Sequence, residues 1–511
     1  MKRDALWLAG QKMLAGFEGT EVTDELREAV HRYKIGNIVL FERNSVSTAQ
    51  TRALCEALRA FIEAETGLPP LIAVDQEGGV VSRLSAESAI TPSAMALGAT
   101  GSVENTRAAG RIVGRELAAL GINLNLAPVL DVNSNVRNPI IGARSFGDDP
   151  ALVSAHGAAM IDGIQESGVL ACAKHFPGHG DTAVDSHLGL PRIEKTLPEL
   201  EACELIPFRA AIAAGVKAVM TSHILFPNLD GYDGLPATLS RRVITGLLRE
   251  ALGYDGLIIS DCLMMDAIAQ HYGTAPGAVA ASRAGVDMIC VSHAPSLAGA
   301  CCEAIRQSMP AEALEASVQR IVALKRQLPA LTDVSVVGCP EHRAAVRRLR
   351  EESLTRLGAA MPSLGDKPLF VGCRPYQASQ ASNPRDRDAS FPAWMRERFG
   401  GTALETSADP DAAEIARASA QARESSCVVL GTCNGHLRPG QLALMCALGE
   451  TERPLICVAL HDPYDLAALP DHACGLAAYE YSRDSLEAVA RALRGELQPQ
   501  GRLSVRLEAR A

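Results

Sequence analysis

The sequence has few aromatic residues and no excess of basic ones. Phe, Tyr and Trp together make up 4% of the 511 residues, and the formal net charge is −10. The chain therefore lacks the basic field that binding to nucleic acid or to an anionic membrane requires. It also lacks the side chains for a groove paved with aromatic platforms. We expect any small-ligand site to be built mainly from polar groups.

Long apolar runs and a cysteine framework are also absent. No run approaches the ~18 apolar residues that a membrane-spanning helix needs, and the apolar stretch near the N-terminus is too short for a signal peptide. The 14 cysteines form no CxxC pair, and most lie inside apolar runs, where a thiol behaves as a small buried hydrophobe. This usage is typical of a reducing compartment, and we expect a cytoplasmic protein.

Eight short apolar runs recur along the first part of the chain, with amphipathic segments such as 47–65 and 102–120 between them. The runs lie at 12–17, 37–41, 71–75, 123–127, 170–175, 218–223, 256–261 and 288–293. Eight strand-then-helix units are the pattern of a (β/α)8 barrel, so the sequence predicts an α/β fold of that type. An open doubly wound sheet is the alternative.

A second α/β region follows a charged helix predicted at 341–356. Its predicted strands lie at 369–373, 427–432, 455–461 and 475–479, and a late helix is predicted at 484–494. The pattern indicates a smaller three-layer α/β sandwich. We expect a barrel over residues 1–330, a linker with a connecting helix over 331–366, and a second domain over 367–511.

Titratable side chains stand at five of the eight predicted strand ends. They are Asp75, Lys174, His175, His223, Asp261 and His293. The carboxyl ends of the strands carry the active site in barrels of this type. These ends therefore predict a catalytic or binding site in the barrel mouth.

The segment Lys174–His187, KHFPGHGDTAVDSH, is the densest in such groups. His175 and His179 have the spacing of a helical zinc site, but a proline and two glycines make a helix improbable there. A glycine-punctuated loop that presents Asp185 and His187 suits an acid/base pair instead. The carboxylate can orient the imidazole, which gives and takes a proton near neutral pH. Histidines that merely bond the backbone are the alternative.

Three further charged groups follow predicted strands. Asp261 ends the apolar seventh strand, where a carboxylate is costly unless it faces a polar cavity; it is either the cap of a helix at 263–270 or a nucleophile aimed into the barrel mouth. Asp75 and Arg83 flank a Gly-Gly turn and predict a polar ligand. Arg144 lies in the loop after the fourth strand, where a surface salt bridge is its default role.

Together these segments resemble glycoside hydrolase family 3, and within it the β-N-acetylglucosaminidases. The K-H-F-P-G-H-G…D-S-H loop is the specific motif of that branch, and the D-x-E-G-G…R, R-S-F-G and S-D segments support it. Segments 352–354 and 479–505 resemble the linker and the end of the family's C-terminal domain. The resemblance thus covers nearly the whole chain.

The resemblance implies a retaining, exo-acting enzyme that removes terminal β-linked N-acetylglucosamine from cell-wall (muropeptide) or chitin-type oligosaccharides. It makes Asp261 the nucleophile and His187, oriented by Asp185, the general acid/base. The positions that match residues holding the terminal sugar are Asp75, Arg83, Arg144, Lys174 and His175. No set of metal ligands at usable spacing occurs along the sequence, so we expect no metal; we also expect no cofactor, and a monomer or homodimer.

Two departures from the family pattern bear on specificity. Val80 stands where many relatives carry Arg, so one sugar contact is in doubt. Cys262 follows the nucleophile where the family's β-glucosidases carry Trp, which argues against glucosidase specificity.

Three rival functions remain. A family 3 β-glucosidase or β-xylosidase usually takes its acid/base from a Glu in the second domain, and the intact Asp185–His187 segment disfavours it. A metal-dependent amidohydrolase needs an HxH pair at the first strand, and residues 13–19 contain no histidine. A catalytically silent sugar-binding protein would not need both Asp261 and His187.

Overall fold

A computed structural model describes residues 4–183, 189–328, 331–377, 381–382, 386 and 388–507. Its first sheet contains eight parallel strands: β1 Met13–Ala15, β2 Asn37–Leu40, β3 Leu71–Val74, β4 Leu124–Asn125, β5 Leu170–Phe176, β6 Ala218–Thr221, β7 Leu257–Ile259 and β8 Ile289–Val291. Strand β1 pairs with both β2 and β8, and β7 meets β8 through a single bridge between Ile259 and Met288. The sheet therefore closes into the predicted barrel, and the open doubly wound alternative is wrong.

The barrel strands are buried on both faces, which explains why each appears in the sequence as a short apolar run. Side chains such as Leu14, Leu124 and Ile259 form the inner core. The helices around the barrel are α1 Ala5–Gln11, α2 Asp24–Tyr33, α3 Thr48–Thr66, α4 Ala94–Ala99, α5 Val103–Leu120, α6 Pro150–Gln165, α7 Leu197–Ala202, α8 Leu205–Ala213, α9 Asp266–Ala269, α10 Thr274–Ala284, α11 Pro295–Ser308 and α12 Ala311–Lys325. A π-helical segment, Arg242–Ala251, lies between β6 and β7.

The second domain is built on a six-stranded sheet. Its strands are β9 Thr355–Gly358, β10 Leu369–Cys373, β11 Thr402–Thr406, β12 Val428–Thr432, β13 Leu455–Ala459 and β14 Cys474–Ala477, in the order β11-β10-β12-β13-β14-β9. Helices α13 Pro340–Ser353, α14 Phe391–Phe399, α15 Ala412–Arg423, α16 Pro439–Gly449 and α17 Arg483–Leu493 accompany it. Separate apolar clusters pack on its two faces, which confirms the three-layer sandwich.

Both edge strands of this sheet were missed by the sequence analysis. The helix predicted at 341–356 ends at Ser353, and the next residues form β9, the one antiparallel strand among those described. In strand β11 only Leu404 is buried, and the other four residues are exposed or partly exposed. An edge strand buries fewer side chains than a central parallel one, so it leaves no continuous apolar run to detect.

Buried polar contacts join the second domain to the barrel. Glu480 forms an ion pair with Arg350 of α13 and accepts a hydrogen bond from the Ser93 backbone N–H at 3.2 Å. Asp462 accepts one from the Ala143 N–H at 2.7 Å. The acceptors Glu480 and Asp462 belong to the second domain, and the N–H groups of Ser93 and Ala143 belong to barrel loops. The second domain therefore packs against these loops. Within the described residues, no helix has the length and hydropathy needed to cross a membrane.

Candidate active site

A cavity of about 560 Å³ lies where the barrel strands end. Its lining includes charged or titratable groups in or after five strands: Glu42 and Arg43 after β2, Asp75, Glu77 and Arg83 after β3, Lys174 and His175 in β5, Asp261 after β7, and His293 after β8. Residues 377, 381 and 382 of the second domain also line it. The structure thus brings together five of the site residues expected from the sequence, and adds Glu77.

Lys174 lies at the centre of the charged cluster. Its Nζ is 2.7 Å from Asp75 Oδ1 and 2.6 Å from Glu77 Oε1, and its side chain is 2% exposed. Burial lowers the pKa of this ammonium group, but the two carboxylates raise it more, and the net shift is upward. Lys174 therefore stays charged and is held by two acceptors.

Arg144 forms a buried ion pair with Glu77 of this cluster. Its Nε and Nη2 atoms each lie 2.9 Å from one oxygen of Glu77, and both side chains are buried. Burial alone would raise the pKa of Glu77, but Arg144 and Lys174 lower it well below its usual value. Arg144 is absent from the residues that line the cavity, so its contact with the site runs through Glu77.

His175 is fixed by Asp131, a residue to which the sequence analysis gave no role. Asp131 Oδ2 lies 2.7 Å from His175 Nδ1, and Oδ1 accepts the backbone N–H groups of His175 and His179. Burial raises the pKa of Asp131, but His175 lowers it more. An ionised carboxylate only accepts, so Nδ1 carries the proton in this contact and the orientation of the ring is fixed. The only sequence signal was a carboxylate inside the apolar stretch after the fourth strand.

Asp261 follows β7 and does not cap a helix. The next helix, α9, begins at Asp266 with Met265 at its N-cap position, so the capping interpretation is wrong. Asp261 Oδ1 accepts the Cys262 backbone N–H at 2.7 Å. The carbonyl of Cys262 in turn accepts a hydrogen bond from His223 Nε2 at 3.0 Å. His223 is thus a positioning residue for the turn that carries Asp261.

Arg83 connects the cavity to the second domain. Its Nη2 donates a hydrogen bond to the Ala381 carbonyl at 2.8 Å, and its guanidinium carbon lies 5.9 Å from the centre of the Phe41 ring. An arginine of the barrel loops and a backbone group of the second domain therefore meet at the rim of the cavity.

Asp185 and His187 lie outside the described residues. The preceding part of their segment is held by the barrel, since the His179 N–H donates to Asp131 Oδ1 at 2.7 Å and the His179 carbonyl accepts a hydrogen bond from Asn138 at 2.8 Å. Burial lowers the pKa of His179 to about 4, which keeps it neutral. No group of three or more potential metal ligands occurs within the part of the chain that the structure describes.

The sequence matches a family model and several proteins named as beta-hexosaminidases. Residues 9–324 match the family model for the N-terminal domain of glycosyl hydrolase family 3. Beta-hexosaminidase A of Pseudoalteromonas piscicida is 36% identical over 371 residues, a match that covers 66% of this chain but less than two thirds (62%) of that protein. A beta-hexosaminidase of Chromobacterium violaceum is 33% identical over 69% of this chain and 96% of its own.

A solved structure is similar over both domains. The glycoside hydrolase family 3 beta-N-acetylglucosaminidase from Paenibacillus sp. str. FPU-7 is 38% identical, with a TM-score of 0.90 and coverage of 99% of each chain. The family model covers more than half of this sequence, and the barrel and the strand-end motifs agree with it. The chain belongs to glycosyl hydrolase family 3.

Proposed function

We propose that this protein is a retaining, exo-acting β-N-acetylhexosaminidase that releases terminal β-linked N-acetylglucosamine. One observation carries the proposal: Asp261 lines the same cavity as Asp75, Lys174 and His175, although these residues come from different strands. The relatives named above as beta-hexosaminidases support the choice of sugar. A cavity of this volume accommodates a small ligand, which suits removal of one terminal sugar.

The charged cluster is suited to holding sugar hydroxyl groups. Lys174 has three N–H donors and directs two of them at Asp75 and Glu77, so one is left for a substrate oxygen. Asp75 accepts from hydroxyl groups, and Arg83 donates to them. Arg144 does not touch the sugar but fixes the position of Glu77. His175 accepts a hydrogen bond from a sugar hydroxyl group at Nε2.

Hydrolysis proceeds in two displacements at the anomeric carbon. Asp261 attacks that carbon, the glycosidic C–O bond breaks, and His187 protonates the departing oxygen. His187 then takes a proton from water, which attacks the same carbon and releases Asp261 and the sugar. Asp185 orients the imidazole in both steps. No step requires a metal or a cofactor.

The natural substrate is proposed to be a cell-wall muropeptide or a chitin-type oligosaccharide, and the protein to act in the cytoplasm in peptidoglycan recycling. All fourteen cysteines are unpaired thiols, which is usual for proteins of reducing compartments and supports this location. Turnover of N-acetylglucosaminyl-muramic acid peptides against chitobiose, measured by product release at equal concentrations, distinguishes the two substrates. Faster turnover of the muramic acid substrate would support the recycling role, and faster turnover of chitobiose would assign the protein to chitin-type oligosaccharides.

A panel of nitrophenyl β-glycosides tests the proposed activity. The sugars differ only at C2, with an acetamido, an amino or a hydroxyl group, and kcat/KM is compared. We expect a strong preference for the acetamido sugar. Comparable kcat/KM for the glucoside and the N-acetylglucosaminide would overturn the assignment in favour of a broader β-glucosidase.

A further inference from the structure

Two cysteines lie side by side in the same cavity, and the proposed hydrolysis uses neither. Cys262, next to Asp261, and Cys290, in β8, both line it. Their backbones are neighbours, since the Leu263 N–H donates to the Cys290 carbonyl at 3.0 Å. Each thiol is the largest influence on the pKa of the other, as expected for neighbouring side chains. The two thiols are therefore adjacent to each other and to the proposed nucleophile.

The surroundings of Cys262 favour its thiolate form. Its sulfur is 2.7 Å from Ser292 Oγ and accepts the Met264 backbone N–H at 3.4 Å. The neighbouring Cys290 thiol lowers the pKa of Cys262 most; burial opposes this, and the net pKa is about 7. The Cys262 thiol and burial together raise the pKa of Cys290 well above its usual value. The pair thus combines a nucleophilic sulfur with a protonated partner.

Other cysteines of the barrel lack this arrangement. Burial raises the pKa of Cys301 and Cys302 to about 12, and neither lines the cavity. Thiols of that kind are inert toward oxidants, because the thiolate is the reactive species. Burial also raises the pKa of Cys55, Cys172 and Cys203, and none of these lines the cavity. Within the barrel, the reactive pair therefore occurs only among the cysteines of the cavity.

We propose that Cys262 and Cys290 form an oxidation site in the substrate cavity, where a peroxide converts the two thiols into a disulfide and reversibly stops hydrolysis. The Cys262 sulfur attacks a peroxide oxygen: an S–O bond forms, the O–O bond breaks, and hydroxide leaves as water after taking a proton. The Cys290 sulfur then attacks the resulting sulfenic acid, the S–O bond breaks, and a second water leaves with the Cys290 proton. Two thiols lose two electrons, and one hydrogen peroxide becomes two waters.

Disulfide formation acts on hydrolysis through the turn at Asp261. A disulfide needs the two sulfurs at about 2.05 Å, so Cys262 must leave Ser292 and move toward Cys290. The Cys262 N–H holds Asp261 Oδ1 at 2.7 Å, and a shift of this residue displaces that carboxylate. A reductant breaks the S–S bond and restores the original contacts.

The test is peroxide treatment of the full-length protein, followed by peptide mapping and an activity assay. We expect a disulfide between the peptides carrying Cys262 and Cys290, loss of most activity, and recovery with dithiothreitol. C262S should keep its own untreated activity in peroxide. C290S should form no disulfide, and its Cys262 sulfenic acid should be trapped by dimedone. C446S, which removes an exposed cysteine, should respond like the unaltered protein.

Two results would overturn the proposal. One is inactivation by peroxide with no Cys262–Cys290 disulfide in the peptide map. The other is equal inactivation of C262S and the unaltered protein. The mapping does not depend on glycosidase activity, so a protein that forms the disulfide but cleaves no N-acetylglucosaminide would contradict the proposed function and leave the oxidation site in place.

Discussion

Glu77 accepts contacts from two buried cations at once: its Oε1 lies 2.6 Å from Lys174 Nζ, and its two oxygens each lie 2.9 Å from a guanidinium nitrogen of Arg144. Glu77 therefore connects Lys174, which lines the cavity, to Arg144, which does not. Asp75 balances the remaining positive charge and is the more exposed carboxylate, at 18%. The two positive and two negative side chains of the cluster cancel, and Asp75, Glu77 and Lys174 face the cavity.

Replacing Glu77 by Gln should destabilise the protein strongly. The change leaves Lys174 and Arg144 buried with one fewer carboxylate, and removing one partner of a buried ion pair costs about 3–5 kcal/mol. Urea unfolding of the two proteins at neutral pH measures the difference. Glu56→Gln is the matched control, because its pair with Arg52 is half exposed and is worth at most about 1 kcal/mol. Equal losses in both variants would contradict the role of Glu77.

The contribution of Glu77 should also depend on pH. Its pKa in the folded protein is lowered below the ordinary value of 4.5, so the folded state holds its proton less tightly than the unfolded chain does. The stabilisation is then complete above pH 4.5 and declines as pH falls from there toward the lower folded-state pKa. Thermal midpoints measured across this range should converge for Glu77→Gln and the unaltered protein. A constant difference down to the lowest pH would contradict the ion pair.

Asp131→Asn should lower activity in the fraction of the protein that remains folded, because it removes the carboxylate that fixes His175. An amide can donate or accept at His175 Nδ1, so it no longer holds the proton there, and kcat/KM should fall as the imidazole loses its orienting partner. Asp149→Asn is the control, because Asp149 caps α6 and Asn caps a helix equally well. Circular dichroism measures the folded fraction of both variants. Unchanged kinetics in Asp131→Asn would show that His175 needs no fixed tautomer.

His187→Ala should cost about 10²–10⁴-fold on substrates with poor leaving groups, the usual contribution of general acid catalysis. The loss should shrink for nitrophenyl leaving groups, since these need little protonation, and azide should restore turnover by replacing activated water. Pre-steady-state kinetics on leaving groups of graded acidity measures both effects. An equal loss on all leaving groups, with no effect of azide, would remove His187 from the acid/base role.

Chelator treatment should leave activity unchanged, because the proposed steps use only carboxylate, imidazole and water. Hydrolysis of a nitrophenyl N-acetylglucosaminide after dialysis against EDTA checks this. Inactivation that zinc reverses would contradict the mechanism.

The barrel could be predicted from the sequence because its strands are buried on both faces. Each of the eight predicted strands has a counterpart among β1–β8, since two-sided burial requires a run of apolar residues. The edge strands β9 and β11 could not be predicted in this way.

Site residues could be predicted where a motif places a charged side chain at a strand end. Residues whose role depends on a partner far away in the sequence could not be predicted. Asp75, Lys174 and Asp261 end apolar runs and are visible in the sequence. Asp131 acts on a histidine 44 residues away, and Glu77 on an arginine 67 residues away. No local pattern connects such pairs, because only the closure of the barrel brings their loops together.

The central claim is that Asp261 attacks the anomeric carbon. A fluorinated N-acetylglucosaminide with a good leaving group slows release of the sugar and should leave it bound to the enzyme. Mass spectrometry of the digested protein should then find the sugar on the peptide that carries Asp261. Asp261→Asn should take up no label and lose several orders of magnitude in kcat, whereas Asp255→Asn, at an exposed position before the same strand, should label normally. A label on Asp75 or Glu77, or an active Asp261→Asn variant, would contradict the account.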